Sequence, residues 1–210
     1  VGGTGLDSLA YAITIEELSR VSGSMGIIVS AHTSLGAGPL YLAGTPDQQE
    51  RFLRPLASGE KLGAYGLTEP GAGSDSRGTK TRARRDGDEW VIDGAKQFIT
   101  NAGVADIYIV VARTGAAEDD SQMTAFIVEK GTPGFTFGRM EEKMGLHASA
   151  TGELLFANCR VPADNLRGDE GQGDKLFLRT LDGGRIGIGA MALGLAQAAA
   201  VRPDAIILDL

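Results

Sequence analysis

The chain has 210 residues, of which 31 are glycine, and a formal net charge of −7. This length can support a hydrophobic core in one large or two modest domains, and glycine at about twice its usual share predicts many turns. The acidic balance excludes typical nucleic-acid-binding proteins, whose phosphate contacts require a basic surface.

Cysteine and histidine usage bears on compartment and on metal binding. Cys159 is the only cysteine and cannot form an internal disulfide, which favours a reducing compartment. His32 and His147 stand far apart, so no metal site is predicted. We see neither a membrane span nor a signal peptide, and the absence of an initial methionine indicates residues upstream. We therefore expect a cytoplasmic protein, or one of the mitochondrial matrix if the source is eukaryotic, without membrane or nucleic-acid partners.

Residues 1–61 are predicted to form an incomplete N-terminal helical domain. Helical periodicity places apolar and charged side chains on opposite faces of residues 6–20, and a more apolar stretch follows at 25–42. Residues 45–48 then supply an N-cap threonine, a proline at the first helical position and a glutamine that completes a capping box. This short helix is predicted to stop near Pro55.

Residues 62–167 change to the two-residue period of strands and are predicted to form a middle β-domain. Asp86, Gly87 and Asp88 are a hairpin signal, and residues 115–122 are predicted to be a polar surface loop. Six or more short strands at this spacing predict an antiparallel sandwich or barrel, so the overall class is α+β. The predicted strands are 63–69, 79–86, 89–92, 107–113, 124–129 and 152–158.

Residues 168–210 are predicted to hold the first helix of a C-terminal helical domain that continues beyond the chain. Apolar residues at helical spacing line one stripe between residues 176 and 199, and the helix is predicted to end at residues 201–203. Glycine costs about 1 kcal/mol in a helix interior. The glycines of this helix therefore indicate close approach of a ligand or of another helix: Gly183, Gly184, Gly187, Gly189 and Gly194.

The most informative segment is 65–75, in which a strand runs through a Glu-Pro dipeptide into a glycine-rich loop. Gly71 and Gly73 permit positive φ, so successive backbone N–H groups can converge on an anion, and Ser74 adds a hydroxyl at the same place. Thr68, at the strand end, could reach a planar ring system. The alternative interpretation is an ordinary tight turn between strands.

A second segment, residues 94–102, pairs an aromatic residue with a threonine. Phe98 and Thr100 are two positions apart and would share one face of a strand, which suits a stacked ring with one edge nitrogen to satisfy. The alternative, which the residue types alone favour, is a strand that packs Phe98 into the core.

The third segment lies in the C-terminal helix and contains two glycines between an aspartate and an arginine. Gly183 and Gly184 would let a ligand lie against the helix, while Arg185 could hold a phosphate or an amide. A plain ion pair between Asp182 and Arg185 is the alternative.

Together these segments closely resemble the acyl-CoA dehydrogenase family, and its short-chain members most strongly. Residues 65–75 resemble the family's first signature, and residues 142–149 are similar to the segment that closes its β-domain. The likeness runs in order from residue 2 to about residue 200. It implies an N-terminal helical domain, a middle β-domain and a C-terminal four-helix domain in a homotetramer or homodimer, so that this chain would be truncated at both ends.

The resemblance implies FAD as the cofactor and acyl-CoA as the substrate. Thr68 would lie at the flavin ring, Thr100 would serve its reactive nitrogen, and Ser74 would lie near the pyrophosphate and the acyl-CoA. The implied FAD contacts are Tyr65, Gly66, Leu67, Thr68, Glu69, Pro70, Gly71, Ala72, Gly73, Ser74, Phe98, Ile99 and Thr100. The implied substrate contacts are Ser74, Asp182, Gly183, Gly184 and Arg185.

The implied reaction is the α,β-dehydrogenation of a short-chain acyl-CoA thioester in fatty acid β-oxidation. A glutamate removes the α-proton while the β-hydrogen passes as hydride to the flavin, and the electrons then pass to an electron-transfer flavoprotein. Most relatives place this glutamate late in the C-terminal domain, beyond residue 210. A branched-chain subgroup carries it at the position of Gly184, which cannot act as a base. No catalytic residue is therefore assigned within the chain.

Two further interpretations stay open at this point. The chain could be a catalytically incomplete fragment that binds FAD or acyl-CoA without turnover. It could also come from a related acyl-CoA oxidase, which differs in oxygen access rather than in these motifs.

Overall fold

A computed structural model describes residues 1–115, 122–167 and 170–201. The helical part contains α1 (Ser8–Val21), α2 (Gly23–Ser30), α3 (Gly38–Ala43), α4 (Pro46–Gln48) and α5 (Arg54–Ser58). Two π-helical stretches, Ala31–Ala37 and Gln49–Leu53, join α2 to α3 and α4 to α5. Each stretch precedes a proline in the next helix; because proline has no backbone N–H, the regular hydrogen-bond ladder cannot continue through it.

Local capping explains where these helices begin and end. The predicted capping box is confirmed, with the Gln48 N–H donating to Thr45 Oγ1 at 3.2 Å and the Thr45 N–H donating to Gln48 Oε1 at 3.1 Å. The predicted stop at Pro55 is wrong, because Pro55 lies in the first turn of α5, where a missing N–H is tolerated. The helix ends instead at Gly59, whose φ of 78° suits only glycine without strain.

The middle part is one curled sheet of eight strands. The strands run in the order β6-β7-β3-β2-β4-β5-β8, and β1 pairs with β4 beside this path. Their bounds are β1 (Gly63–Gly66), β2 (Arg82–Asp86), β3 (Glu89–Thr100), β4 (Ile107–Arg113), β5 (Met123–Glu129), β6 (Phe135–Met140), β7 (Thr151–Pro162) and β8 (Leu166–Arg167).

The predicted α+β class is confirmed, with one difference in the sheet. β4 pairs in parallel with both β1 and β2, so the sheet is mixed rather than purely antiparallel. The reason is the long connection between β1 and β2, which carries the chain away from the sheet and lets both strands run in the direction of β4.

Several strands differ from their predicted extent: β1 ends at Gly66 instead of residue 69, β2 begins at Arg82 instead of residue 79, and β7 runs to Pro162 instead of residue 158. β3 continues through residue 94 to Thr100, so the predicted strand 89–92 and the 94–102 segment are one element with bulges. β6 was not predicted, because its alternation is interrupted by Gly138 and its polar residues resemble a loop. The predicted loop 115–122 lies mostly outside the described residues, as does the chain after Val201.

The sheet separates two hydrophobic clusters because β4 buries both of its faces. Tyr108 and Val110 face a cluster enclosed by the curled sheet, whereas Ile107 and Ile109 face a cluster shared with the helices. The first cluster also contains Trp90, Phe126, Phe135, Leu154 and Phe156. The second also contains Leu40, Phe52, Leu56, Met123 and Phe177.

The long helix α6 (Gly173–Val201) packs against α1 through its glycines. A Cβ on Gly187 would overlap the Tyr11 hydroxyl, and one on Gly194 would overlap the Glu16 carbonyl. The glycines therefore permit close approach of another helix, one of the two predicted reasons for them. Over Lys175–Val201 this helix is also long and apolar enough to cross a membrane, which the sequence interpretation did not anticipate; core helices of soluble proteins pass the same test.

Candidate functional site

The segment 65–75 leaves the sheet at the end of β1 and turns back on itself. The Glu69 and Ala72 backbones exchange reciprocal N–H···O bonds of 3.1 Å, so the tight turn of the alternative interpretation is present. Contrary to expectation, Gly71 and Gly73 do not adopt positive φ. A Cβ at either position would meet nothing within 4 Å. The space in front of these two backbones is therefore open to a bound group.

The segment 98–100 forms the end of β3 and is strained. A bulge between Lys96 and Ile99 interrupts the pairing with β7, and Phe98 within it has a φ of 58°. Phe98 is 57% exposed, so the prediction that it packs into the core is wrong. Ile99 is buried and Thr100 is half-buried. Strained backbone of this kind is concentrated at functional sites.

The fold brings the two segments together around one cavity of about 150 Å³. Its lining includes Thr68 from the first segment, Phe98, Ile99 and Thr100 from the second, and Leu181 of α6. Within the described ranges (1–115, 122–167 and 170–201), neither the Thr68 nor the Thr100 hydroxyl bonds to another protein group. Two unpaired hydroxyls facing one cavity can both donate to a ligand.

A second cavity of about 270 Å³ adjoins the first and is largely apolar. The two share Ala31, Leu35, Thr100 and Leu181, and the second continues along α6 past Gly184 and Arg185. Its remaining lining is Ile27, Ser30, Ser34 and Ile188. A Cβ on Gly184 would lie 3.2 Å from Leu35 Cδ2, so glycine keeps this end of the cavity open.

Four of the five predicted substrate residues, 182–185, lie on the helix beside this second cavity, whereas Ser74 lies on the loop after β1. Asp182 and Arg185 are exposed and form the predicted ion pair, with 2.8 Å between Oδ1 and Nη1. Gly183 instead lines a third cavity, of about 290 Å³, near the start of α1. Among the described residues lining the first two cavities, none is aspartate or glutamate.

Sequence reasoning missed one candidate, Lys96, which forms a buried ion pair with the predicted FAD contact Glu69. Lys96 is fully buried, and its Nζ donates to Glu69 Oε1 at 2.7 Å. Burial lowers the pKa of Lys96 below its ordinary value, and the adjacent Glu69 carboxylate opposes this shift. Burial raises the pKa of Glu69, but Lys96 and two backbone N–H donors outweigh it, so the net shift is downward. The one available indication was a lysine within the predicted segment 94–102, because a lysine buried there would need a charged partner.

Of the remaining predicted FAD contacts, Tyr65 and Leu67 also line the first cavity, whereas Gly66 and residues 69–74 do not. Tyr65, Gly66 and Ala72 are buried, and burial raises the pKa of Tyr65. Pro70 and Ser74 are exposed on the loop, beside the open space at the two glycines. The Thr68 and Thr100 hydroxyls and the exposed Phe98 ring line this cavity, and the open turn at Gly71 and Gly73 follows Thr68 along the chain. These groups suit a planar heterocycle that carries an anionic group.

Two family models match this chain. The acyl-CoA dehydrogenase N-terminal domain matches residues 1–60, and the acyl-CoA dehydrogenase middle domain matches residues 64–159. The short-chain-specific acyl-CoA dehydrogenase of Clostridium acetobutylicum is 52% identical over 198 residues, which is 94% of this chain and 52% of the relative. The chain thus spans about half the length of the curated relatives it matches.

Solved structures agree with these matches. Butyryl-CoA dehydrogenase from Megasphaera elsdenii superposes with a TM-score of 0.91 at 50% identity, covering 94% of this chain and 52% of that chain. An acyl-CoA dehydrogenase from Bacillus anthracis, solved in complex with FAD, superposes with a TM-score of 0.88 at 40% identity, covering 94% of this chain and 33% of that chain. The chain therefore belongs to the acyl-CoA dehydrogenase family of oxidoreductases.

Proposed function

We propose that this chain is the FAD- and acyl-CoA-binding part of a short-chain acyl-CoA dehydrogenase. The observation that carries the proposal is the shared cavity of Thr68 and residues 98–100, which come from two segments about thirty positions apart. The similarity to short-chain enzymes at about half identity supports it. The proposed division at residues 1–61, 62–167 and 168–210 follows the change from helices to sheet to helix.

The residues present fit an FAD molecule. The free hydroxyls of Thr68 and Thr100 would donate to the polar edge of the flavin, and the exposed ring of Phe98 would cover one face. The open turn at Gly71 and Gly73, with the Ser74 hydroxyl, would hold the pyrophosphate. FAD supplies the hydride acceptor when it is bound. The other predicted contacts, from Tyr65 to Ala72 and at Ile99, would act by shaping the cavity.

The second cavity would take the acyl chain of the substrate. Its apolar lining, with Ile27, Leu35 and Ile188, excludes water from a hydrocarbon chain, and it adjoins Thr100. Asp182 and Arg185 are exposed on the adjoining helix, where they could contact the polar CoA portion. Ser74 would contribute from the loop.

The described chain supplies binding but no base for the α-proton. Removing that proton requires a positioned carboxylate within hydrogen-bond reach, and no described residue lining the two cavities carries one. We therefore propose that the catalytic glutamate lies beyond residue 210 and that this chain alone binds without turnover. In the description of residues 1–115, 122–167 and 170–201, nothing favours the oxidase alternative.

The electron acceptor and the oligomeric state are also proposals. An electron-transfer flavoprotein would accept the electrons, and the intact protein would form a homotetramer or homodimer. The expected cytoplasmic or mitochondrial-matrix location, without membrane or nucleic-acid partners, likewise stays a prediction.

The test is an anaerobic titration of the purified chain with FAD and then butyryl-CoA, followed by flavin absorbance. We expect FAD to bind and its absorption band to stay unbleached. A Thr100→Val variant should bind FAD about tenfold more weakly through loss of one hydrogen bond, whereas Thr136→Val, at an exposed position of β6, should bind as the parent does. Absence of FAD binding would contradict the proposal, and rapid bleaching would contradict the position assigned to the base.

A further inference from the structure

We propose that the buried ion pair of Lys96 and Glu69 is the positioning element that holds the Thr68 loop against residues 98–100. The pair would thereby set the spacing between the two walls of the flavin cavity. This inference rests on the function proposed above and assigns residues that determine the geometry of the same site.

Hydrogen bonds join three consecutive residues of the loop, 67–69, to two consecutive residues of β3, Lys96 and Gln97. Lys96 Nζ donates to the Leu67 carbonyl at 3.0 Å and to Glu69 Oε1 at 2.7 Å, so it holds both neighbours of Thr68. The Gln97 N–H donates to the carbonyl of Thr68 itself at 2.8 Å. Lys96 stands two positions before Phe98 in the same strand. We call these hydrogen bonds from Lys96 and Gln97 to residues 67–69 the clamp. The clamp links Thr68 directly to β3, the strand that carries Phe98 and Thr100.

Glu69 extends this clamp to the far end of the loop. Its Oε2 accepts from the Lys80 N–H at 2.6 Å, and its Oε1 accepts from the Thr81 N–H at 3.0 Å. The Glu69 carboxylate thus joins the two ends of the connection between β1 and β2, which contains the open turn at Gly71 and Gly73. Both charged groups are buried, Lys96 completely and Glu69 to within 6% exposure.

The local backbone explains why a clamp is needed here. The β3–β7 pairing is interrupted between Lys96 and Ile99, and Phe98 lies at positive φ within that interruption. Sheet hydrogen bonds therefore do not fix this part of β3, and apolar contacts are not directional. Charge-assisted hydrogen bonds in a dry interior fix both distance and orientation.

The test uses the full 210-residue chain without cofactor and compares Lys96→Met with the parent by amide hydrogen exchange. Methionine keeps the unbranched shape and removes the charge. We expect the amides of Lys80, Thr81 and Gln97 to exchange at least about tenfold faster, while those of β4 and β5 keep their rates. FAD affinity should then fall about tenfold or more.

Two controls separate positioning from ordinary loss of stability. Lys130→Met removes an exposed lysine between β5 and β6, outside this loop, and should change neither readout. Val128→Ala, in the core of β5, should lower stability without selective exchange in the loop and without weakening FAD binding. If Lys96→Met does not fold, Glu69→Gln removes the other charge at nearly constant volume, with the same expected pattern.

The outcomes are distinct. Unchanged exchange at the three amides would overturn the clamp, and faster exchange with parental FAD affinity would overturn its positioning role. Faster exchange together with weaker binding supports it. If the parent itself binds no FAD, the proposed function fails, while the exchange rates still decide whether the pair holds the loop.

Discussion

In β4 and β5, every residue except the last is buried, and both faces pack against apolar neighbours. The candidate site, one strand away, has a residue at positive φ, an exposed aromatic ring, two hydroxyls that face a cavity and a buried ion pair. The centre of the sheet is stabilised by burial of apolar side chains, which has no preferred direction. The site depends instead on a few hydrogen bonds and one ion pair, which require a defined geometry. Stability is therefore concentrated away from the site, where strain can be tolerated.

The largest effect should come from the sheet centre. Phe126 is fully buried, and its ring centroid lies 5.3 Å from that of Trp90. Phe126→Ala should lower the free energy of unfolding by about 3–5 kcal/mol, measured by urea denaturation, because it leaves a cavity. The folded fraction should retain parental FAD affinity. A large loss of affinity per folded molecule would show that the two regions are not separable.

The contact between α1 and α6 tests whether close helix packing behaves like the sheet centre. Gly194→Ala would place a methyl group against the Glu16 carbonyl and should cost about 1–3 kcal/mol. Gly189 lies in the same helix with nothing within 4 Å of a built Cβ, so Gly189→Ala should stabilise by about 0.5–1 kcal/mol. Thermal unfolding of the two variants measures both values. Equal effects would contradict the close approach.

Replacing Phe98 with glycine should raise the free energy of unfolding, whereas replacing Phe126 at the centre of the sheet should lower it. Phe98→Gly relieves the positive φ of an exposed residue and should raise the free energy of unfolding by about 1 kcal/mol. FAD affinity should nevertheless fall, because the ring is lost. Phe98→Ala is the matched control: it loses the ring but keeps the strain, so it should weaken binding without the gain in stability.

The boundary between helices and sheet should respond to mild acid. The Gly63 N–H donates to His32 Nδ1 at 3.0 Å, and Nε2 lies 3.2 Å from the Leu56 carbonyl, so the ring is neutral with its proton on Nε2. Burial lowers the pKa of His32 below its ordinary value of 6.5. The unfolded chain therefore binds the proton more tightly, and stability should decline as pH falls below 6.5.

Unfolding measured at pH 7 and at pH 5 checks this expectation. His32→Gln should remove most of the decline across this interval, whereas His147→Gln, at an exposed position, should retain it. In model peptides, Asp and Glu side chains have pKa values of about 4, below this interval. If the stability of His32→Gln declines between pH 7 and pH 5 as much as that of the parent, a group other than His32 causes the decline.

Much of the fold could be predicted because its signals are local. The capping box at residues 45–48, the strand at 107–113 and the long C-terminal helix depend on near neighbours and on one periodicity each. The exposure of Phe98 could not be predicted, because it follows from a bulge that forms only when β3 meets β7. The buried face of α1 could not be predicted either. Leu9 and Ile13 are exposed and Ile15 is buried, because α6 packs against the face of α1 that carries Ile15.

The order of helices, strands and helix, and the two segments that line the candidate cavity, follow from the amino-acid sequence alone, because turn chemistry, capping and alternation are properties of neighbouring residues. By contrast, the cavity shared by Thr68 and Thr100 and the pairing of Lys96 with Glu69, 27 positions away, follow only from the packing of the folded chain. A buried charge requires a partner that is close in space and shielded from water, and spacing along the chain specifies neither condition.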